Sequence, residues 1–107
     1  MNLKGSLPLL VLHVLAKGAN HGYGIAKLIK DQSQGVLDFK EGTLYPTLHG
    51  MEKQGLIEAY QQEESGRMRR YYRLTKSGQS VLDAQREEWS RYTDAVNMVL
   101  NGAGTEA

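Results

Sequence analysis

The sequence predicts a mainly α-helical chain carrying one small β-hairpin. Three observations lead there. Four stretches place apolar residues at helical spacing, and between the third and fourth the pattern switches to short aromatic and β-branched runs. A Ser65-Gly66 turn signal lies between those runs. The length of 107 residues suits a single core, and the absence of cysteine excludes a disulfide scaffold, a thiol nucleophile and a cysteine-ligated zinc site.

The first helix is expected over about residues 6–17, with Ser6 as its cap and Pro8 in its first turn. Leu7, Leu9, Leu10, Val11, Leu12, Val14 and Leu15 cover nearly its whole circumference, so it must be buried on more than one side. A second copy of the chain is one candidate cover, and Gly18 closes the helix. Asn20 is the expected cap of a second helix, whose stripe is Tyr23, Ile25, Leu28 and Ile29 and which stops at Ser33-Gln34-Gly35. A third helix runs from about Glu41 to Gln54 on Leu44, Leu48 and Met51, with Gly55 as its stop.

Leu56–Tyr60 and Arg69–Leu74 then read as antiparallel strands joined by a polar tip from Gln61 to Met68. Thr75 and Ser77 both suit the cap of a last helix over 76–100. There Leu82, Gln85, Trp89, Tyr92, Val96 and Val99 alternate spacings of three and four, a heptad-like seam that one short domain cannot bury alone. Residues 101–107 read as a frayed tail. The expected division is 1–75 for the body, 76–100 for a dimerisation helix and 101–107 for the tail.

The net charge of +1 is nearly neutral but unevenly spread. Residues 1–76 hold 11 Lys/Arg against 7 Asp/Glu, and residues 77–107 hold 2 against 5. A basic body thus carries an acidic last helix. No run of 18 apolar residues suggests a membrane-spanning helix, and the N-terminus lacks a clear small-residue cleavage site, so neither a span nor a signal peptide is expected. A cytoplasmic location fits.

Three helices, a hairpin and a fourth helix in that order is the arrangement of a winged helix-turn-helix, whose third helix enters the major groove while the hairpin reaches the backbone or minor groove. Particular strings strengthen this. Tyr23-Gly24-Ile25 is similar to the YGxxI element of the PadR-type transcriptional regulators. Gly42-Thr43-Leu44-Tyr45-Pro46-Thr47-Leu48 with Met51-Glu52-Lys53-Gln54-Gly55-Leu56-Ile57 resembles their GTLYPxLxxLExxGLI signature, Met51 standing where leucine is usual. Arg69–Thr75 and Gly78 resemble their RRxYxLTxxG wing strand, and the single last helix resembles the compact subgroup. The resemblance covers roughly residues 5–100. It implies a DNA-binding regulator that acts as a dimeric repressor on a pseudo-palindromic duplex, the two third helices about 34 Å apart.

Residue chemistry agrees. A helix entering the groove needs small or hydrogen-bonding residues in its first turn, and Gly42, Thr43, Tyr45 and Thr47 fit. Tyr45 could equally belong to the core, and the threonines could merely cap. Arg67, Arg69, Arg70 and Arg73 would repel one another without an anion nearby; phosphate could supply it, or Glu58, Glu63 and Glu64 across the hairpin. Strand alternation puts Arg70 and Tyr72 on the face of core-directed Leu74, with Arg69, Tyr71 and Arg73 opposite. Arg67 and Arg69 are the leading candidates for DNA, with Arg70 and Tyr23 included, and Arg73 is read as structural. Lys27, Lys40 and Lys53 are candidate backbone contacts.

Trp89 has two readings. Its heptad position makes it a dimer-core residue alongside Leu82, Tyr92, Val96 and Val99. Glu88-Trp89-Ser90-Arg91 also resembles the corresponding segment of multidrug-sensing PadR proteins, which implies stacking of a planar aromatic or phenolic effector between two such tryptophans, with Leu9, Leu12 and His13 as lining. His13, His21 and His49 show no ligand spacing, so neither a metal nor a cofactor is expected. No catalytic constellation stands out, so an enzyme is not expected. The rival reading is a winged-helix protein-interaction module whose arginines grip an acidic partner.

Overall fold

A computed structural model describes residues 3–102. The elements run α1 (Leu3–Lys17), β1 (Asn20–His21), α2 (Gly22–Gln32), α3 (Glu41–Lys53), β2 (Ile57–Glu64), β3 (Arg67–Leu74) and α4 (Lys76–Leu100). The mainly helical class with a hairpin is as expected, and one short strand, β1, is added.

The first helix starts at Leu3, so Ser6 is not its cap but a buried residue inside it, and Pro8 lies within the helix. Leu7, Val11, Leu12, Val14 and Leu15 are buried, and α1 touches α2, α3, β3 and α4 of its own chain. Its all-round apolarity is therefore met largely within one molecule. The core is completed by Ile25 and Ile29 of α2, Leu44, Leu48 and Met51 of α3, Ile57, Tyr72 and Leu82. Tyr23 and Leu28, expected on the α2 stripe, are instead 68% and 38% exposed.

The cap of α2 is His21, not Asn20: the His21 imidazole accepts the Gly24 N–H at 3.0 Å. Asn20 and His21 pair with Tyr72 and Tyr71 as an edge strand, giving the sheet order β1-β3-β2. The Asn20 side chain in turn accepts the His21 N–H at 2.8 Å and occupies the space a side chain at Gly24 would need. The α2–α3 turn passes through Gln34 and Gly35 at φ 55 and 84.

The hairpin is longer than the sequence suggests. Its register runs from Ile57 opposite Leu74 to Glu64 opposite Arg67, so the expected tip over Gln61–Met68 contracts to Ser65 and Gly66. Both take positive φ, 53 and 78, the backbone of a two-residue turn that suits strand twist. Opposite charges face each other at Glu64 and Arg67 and at Glu58 and Arg73, which extends the pairing past the body.

Thr75 caps α4, accepting from Gly78 N–H at 3.0 Å while its hydroxyl lies within 3.0 Å of the Gly55 and Leu56 carbonyl oxygens. The seam on α4 divides in two. Leu82 is fully buried in its own chain's core, which corrects its assignment to a dimer interface, because it packs where α4 still crosses the body. Beyond Gln85 the helix projects, in a molecule 65 Å long and 22 Å thin, and Tyr92, Val96, Met98, Val99 and Leu100 are exposed. Asn101 and Gly102, expected to be frayed, cap its end through bonds to Asn97 and Val99, with Gly102 at φ 70; residues 103–107 of the expected tail lie outside the described residues.

Candidate nucleic-acid interface

The site is built on the start of α3. Lys40 precedes the helix, and its carbonyl accepts from Thr43 and Leu44 N–H. Gly42 is exposed with open space around it, Thr43 is half-buried, and the Thr47 hydroxyl donates to the Thr43 carbonyl at 2.9 Å. Pro46 has no N–H to return to Gly42, so that carbonyl is left to other donors. This turn therefore offers little side-chain bulk and several backbone polar groups.

Tyr45 answers both of its readings in part. Its ring lies over Gly22, whose missing side chain would stand 2.6 Å from Tyr45 Oη, yet 42% of the residue is exposed. Burial and the nearby Glu41 carboxylate push its phenol above the usual tyrosine value, so it remains a neutral donor. A cleft of about 270 Å³ brings Tyr45 together with His21, Tyr23, Arg69 and Arg70. The first turns of α2 and α3 and the wing strand thus border one surface.

The arginines divide. Arg70 donates to both oxygens of Glu52 at 2.9 and 3.1 Å, tying β3 to the last turns of α3; this hydrogen bond leads the effects that raise the Arg70 pKa. Arg73 donates to Glu58 at 2.7 Å and stacks on Tyr60 at 4.5 Å. Arg69 stands 3.5 Å from Glu64 without a hydrogen bond to it, and Arg67 has no partner among the described residues. Pairing within the chain, the bland alternative for this cluster, therefore accounts for Arg70 and Arg73 and leaves Arg67 and much of Arg69 available.

The lysines resemble an exposed surface network. Lys27 pairs with Asp31 at 2.9 Å, and its hydrogen bond there raises its pKa. Lys40 and Lys30 both approach Asp38, at 3.0 and 3.6 Å, and the Lys40 hydrogen bond holds that carboxyl below its usual range. Lys53 is exposed at the end of α3. A cleft of about 360 Å³ between α2 and α3 is walled by Tyr23, Lys27, Lys30, Lys40 and Tyr45.

Sequence reasoning missed His21 and Glu52. His21 sits between Tyr23, stacked at 6.4 Å, and Tyr71, edge-on at 5.3 Å, with Arg69 Nη1 3.0 Å from its Nε2. Burial first, and Arg69 second, lower its pKa. Imidazole is not among the usual helix caps, so only the short His-Gly-Tyr-Gly string could have drawn notice.

The expected effector residues are not gathered into one cavity within the chain. His13 lines a cleft of about 150 Å³ with Leu10, Val14, Ile29 and Leu37. Leu12 is fully buried and faces a different space beside Pro8, Pro46 and Thr47. Trp89 lines neither; its ring lies 6.0 Å from Tyr92. Leu9 is half-buried. Among the described residues, no three His, Cys, Asp or Glu side chains come together as a metal site, and no helix is long and apolar enough to cross a membrane.

A helix pair joined by a turn, with the second helix exposed at its start and flanked by a two-stranded wing, defines a winged helix-turn-helix protein. Residues 11–84 match the Transcriptional regulator PadR-like family. The chain is 39% identical over 75 residues to the transcriptional regulator Rv3488 of Mycobacterium tuberculosis, covering 70% of each chain. It is 34% identical over 99 residues to the transcriptional regulator YqjI of Escherichia coli, covering 92% of this chain but only 46% of that protein. The crystal structure of a PadR family transcription regulator from Clostridium difficile R20291 superposes with a TM-score of 0.80 at 35% identity, over 90% of this chain and 99% of that one. The chain belongs to the PadR-like family of transcriptional regulators, and it is not an enzyme.

Proposed function

We propose that the protein binds duplex DNA as a homodimer and represses transcription, inserting the start of α3 into the major groove while the wing grips the adjacent backbone. The observation that carries this is the shared surface of Tyr23, Tyr45 and Arg69, which aligns the groove-entering turn with an exposed arginine of the wing. Gly42 and Thr43 admit close approach to base edges, Thr47 lies one turn on, and Lys27, Lys53, Arg67 and Arg69 serve phosphates. Arg70 acts first as a strut, fixing the wing against α3 through Glu52.

Dimerisation is assigned to the projecting part of α4, where Trp89, Tyr92, Val96 and Val99 keep heptad spacing, Trp89 half-buried and the other three exposed. An aromatic effector would enter between two such helices, at the Trp89–Tyr92 pair, and shift the spacing of the two heads. Leu9 and His13 on α1 could complete that slot only with a second copy, and Leu12 is too deeply buried to join it.

An electrophoretic shift on a duplex from the protein's own upstream region tests the reading. Binding that weakens with salt and with Arg69→Gln supports it. Absence of binding at low salt favours the protein-interaction module instead. Quenching of Trp89 fluorescence by planar aromatic compounds tests the effector.

A further inference from the structure

The imidazole of His21 faces hydrogen-bond donors on both sides. Its Nδ1 accepts the Gly24 N–H at 3.0 Å, one of the donors that the start of a helix leaves without a backbone partner. A neutral imidazole has one donor and one acceptor, so the cap fixes its proton on Nε2. Yet Nε2 lies 3.0 Å from Nη1 of Arg69, which can only donate. Two N–H groups therefore point at each other where a hydrogen bond would need an acceptor.

The surroundings hold this arrangement in place. Tyr23 from α2 stacks on the ring and Tyr71 from β3 meets it edge-on. Tyr45 from α3 and Arg70 from β3 border the same cleft. The carboxylate beside Arg69, Glu64 from β2, accepts from Tyr71 and stays 3.5 Å from Arg69 with no hydrogen bond. Arg69 thus differs from Arg70 and Arg73, whose guanidinium groups are hydrogen-bonded to Glu52 and Glu58. The Arg69 side chain is 44% exposed and has no hydrogen bond to Glu64, so an acceptor can reach it from solvent.

We propose that His21 and Arg69 form a seat for one phosphate group, whose oxygen accepts from His21 Nε2–H and from Arg69 at once. The proposal rests on the DNA-binding reading and deepens it: the cap of α2 becomes a backbone contact coupled to the wing. One anion turns a repulsive donor pair into two charge-assisted hydrogen bonds. Glu64 is the internal competitor for Arg69. The neutral imidazole suffices, because a second proton would have to go to Nδ1 and would displace the Gly24 N–H.

Long-range proton–nitrogen correlation spectra of the imidazoles test the first step. The free protein should show His21 as the Nε2–H form; the Nδ1–H form would overturn the proposal, since Arg69 would then simply donate to the ring. The second step is the salt dependence of duplex binding. His21→Asn keeps a capping oxygen but is too short to reach the phosphate, and His21→Ser provides a second capping variant should the first fold poorly. Arg69→Gln should reduce the slope of log affinity against log salt by about 1.8, one phosphate in each of the two heads. His21→Asn removes no charge and should instead lower affinity at fixed salt, and the double variant should bind no more weakly than Arg69→Gln.

An unchanged affinity in His21→Asn, or additive losses in the double variant, would refute the shared seat while wild-type binding still upheld the DNA reading. Failure of the wild type to bind any duplex would remove the reading beneath it. Inorganic phosphate separates the two sources of the anion. Movement of the His21 ring signals with phosphate alone supports a general phosphate seat, and movement with duplex only supports a backbone contact. Movement with neither overturns both.

Discussion

Gly78→Ala is the sharpest structural test of how the wing is joined to α4. A methyl group there would overlap the Leu56 carbonyl oxygen and stand 2.7 Å from Leu74 Cδ1 and 3.1 Å from the Leu56 carbonyl carbon. The overlap is with backbone, which cannot rotate away. The same Leu56 oxygen accepts from Thr75 N–H at 3.1 Å and from the Thr75 hydroxyl at 3.0 Å, so any relief also loosens the cap of α4. Overpacking of this kind costs about 1–3 kcal/mol and a lost cap about 1 kcal/mol, roughly 3 kcal/mol together. In a chain of this size that lowers Tm by about 12 °C. Gly50→Ala is the control: nothing lies within 4 Å of the added group, and alanine should stabilise the helix by about 0.5–1 kcal/mol. Thermal melts followed by circular dichroism read both. A Gly78→Ala variant melting within about 3 °C of wild type would refute the close approach of α4 to the base of the hairpin.

Glu52→Gln should leave Tm within about 2 °C, because exposed ion pairs contribute little, while freeing Arg70 and steepening the salt dependence of duplex binding; an unchanged slope argues against Arg70 reaching phosphate. Leu82→Ala should destabilise the fold by about 2–5 kcal/mol in urea titrations, whereas Val99→Ser should leave each chain folded and lower the dimer fraction in sedimentation velocity. If Val99→Ser leaves the dimer intact, the seam lies elsewhere. Stability should also fall on mild acidification. Burial, and then neighbouring cations, depress His13 and His21 below 6.5 in the folded chain, so the unfolded chain binds more protons there. Their contribution is complete above pH 6.5 and is lost as pH falls through their lowered folded values. Asp38 and Glu64, held low by hydrogen bonds from Lys40 and Tyr71, add a second loss as pH falls below about 4. A Tm that is flat between pH 7.5 and 5.5 would contradict the histidine assignment.

How far the sequence could be read depended on the range of the interaction involved. The helices announced themselves through local spacing, and α3 buries Leu44, Leu48 and Met51 as that spacing required. Heptad spacing on α4 was equally visible, but it is blind to where a helix leaves its own core. Leu82 and Val99 therefore looked alike, although one is fully buried and the other 76% exposed. Strand alternation separated Arg70 from Arg69 and Arg73, yet could not name Glu52 as the Arg70 partner, because that contact spans 18 residues between two elements. The two-residue strand β1 and the imidazole cap were illegible for a related reason: each exists only because β3 runs alongside Asn20 and His21.

In this picture two winged heads grip one duplex. It is tested most directly by sedimentation of the protein with an upstream duplex over a series of salt concentrations. Two chains per duplex are expected. With Lys27, Lys53, Arg67 and Arg69 each on a phosphate in both heads, the logarithm of affinity should fall with the logarithm of salt at a slope of about −7. A complex of one chain per duplex, or no complex at low salt, would contradict it.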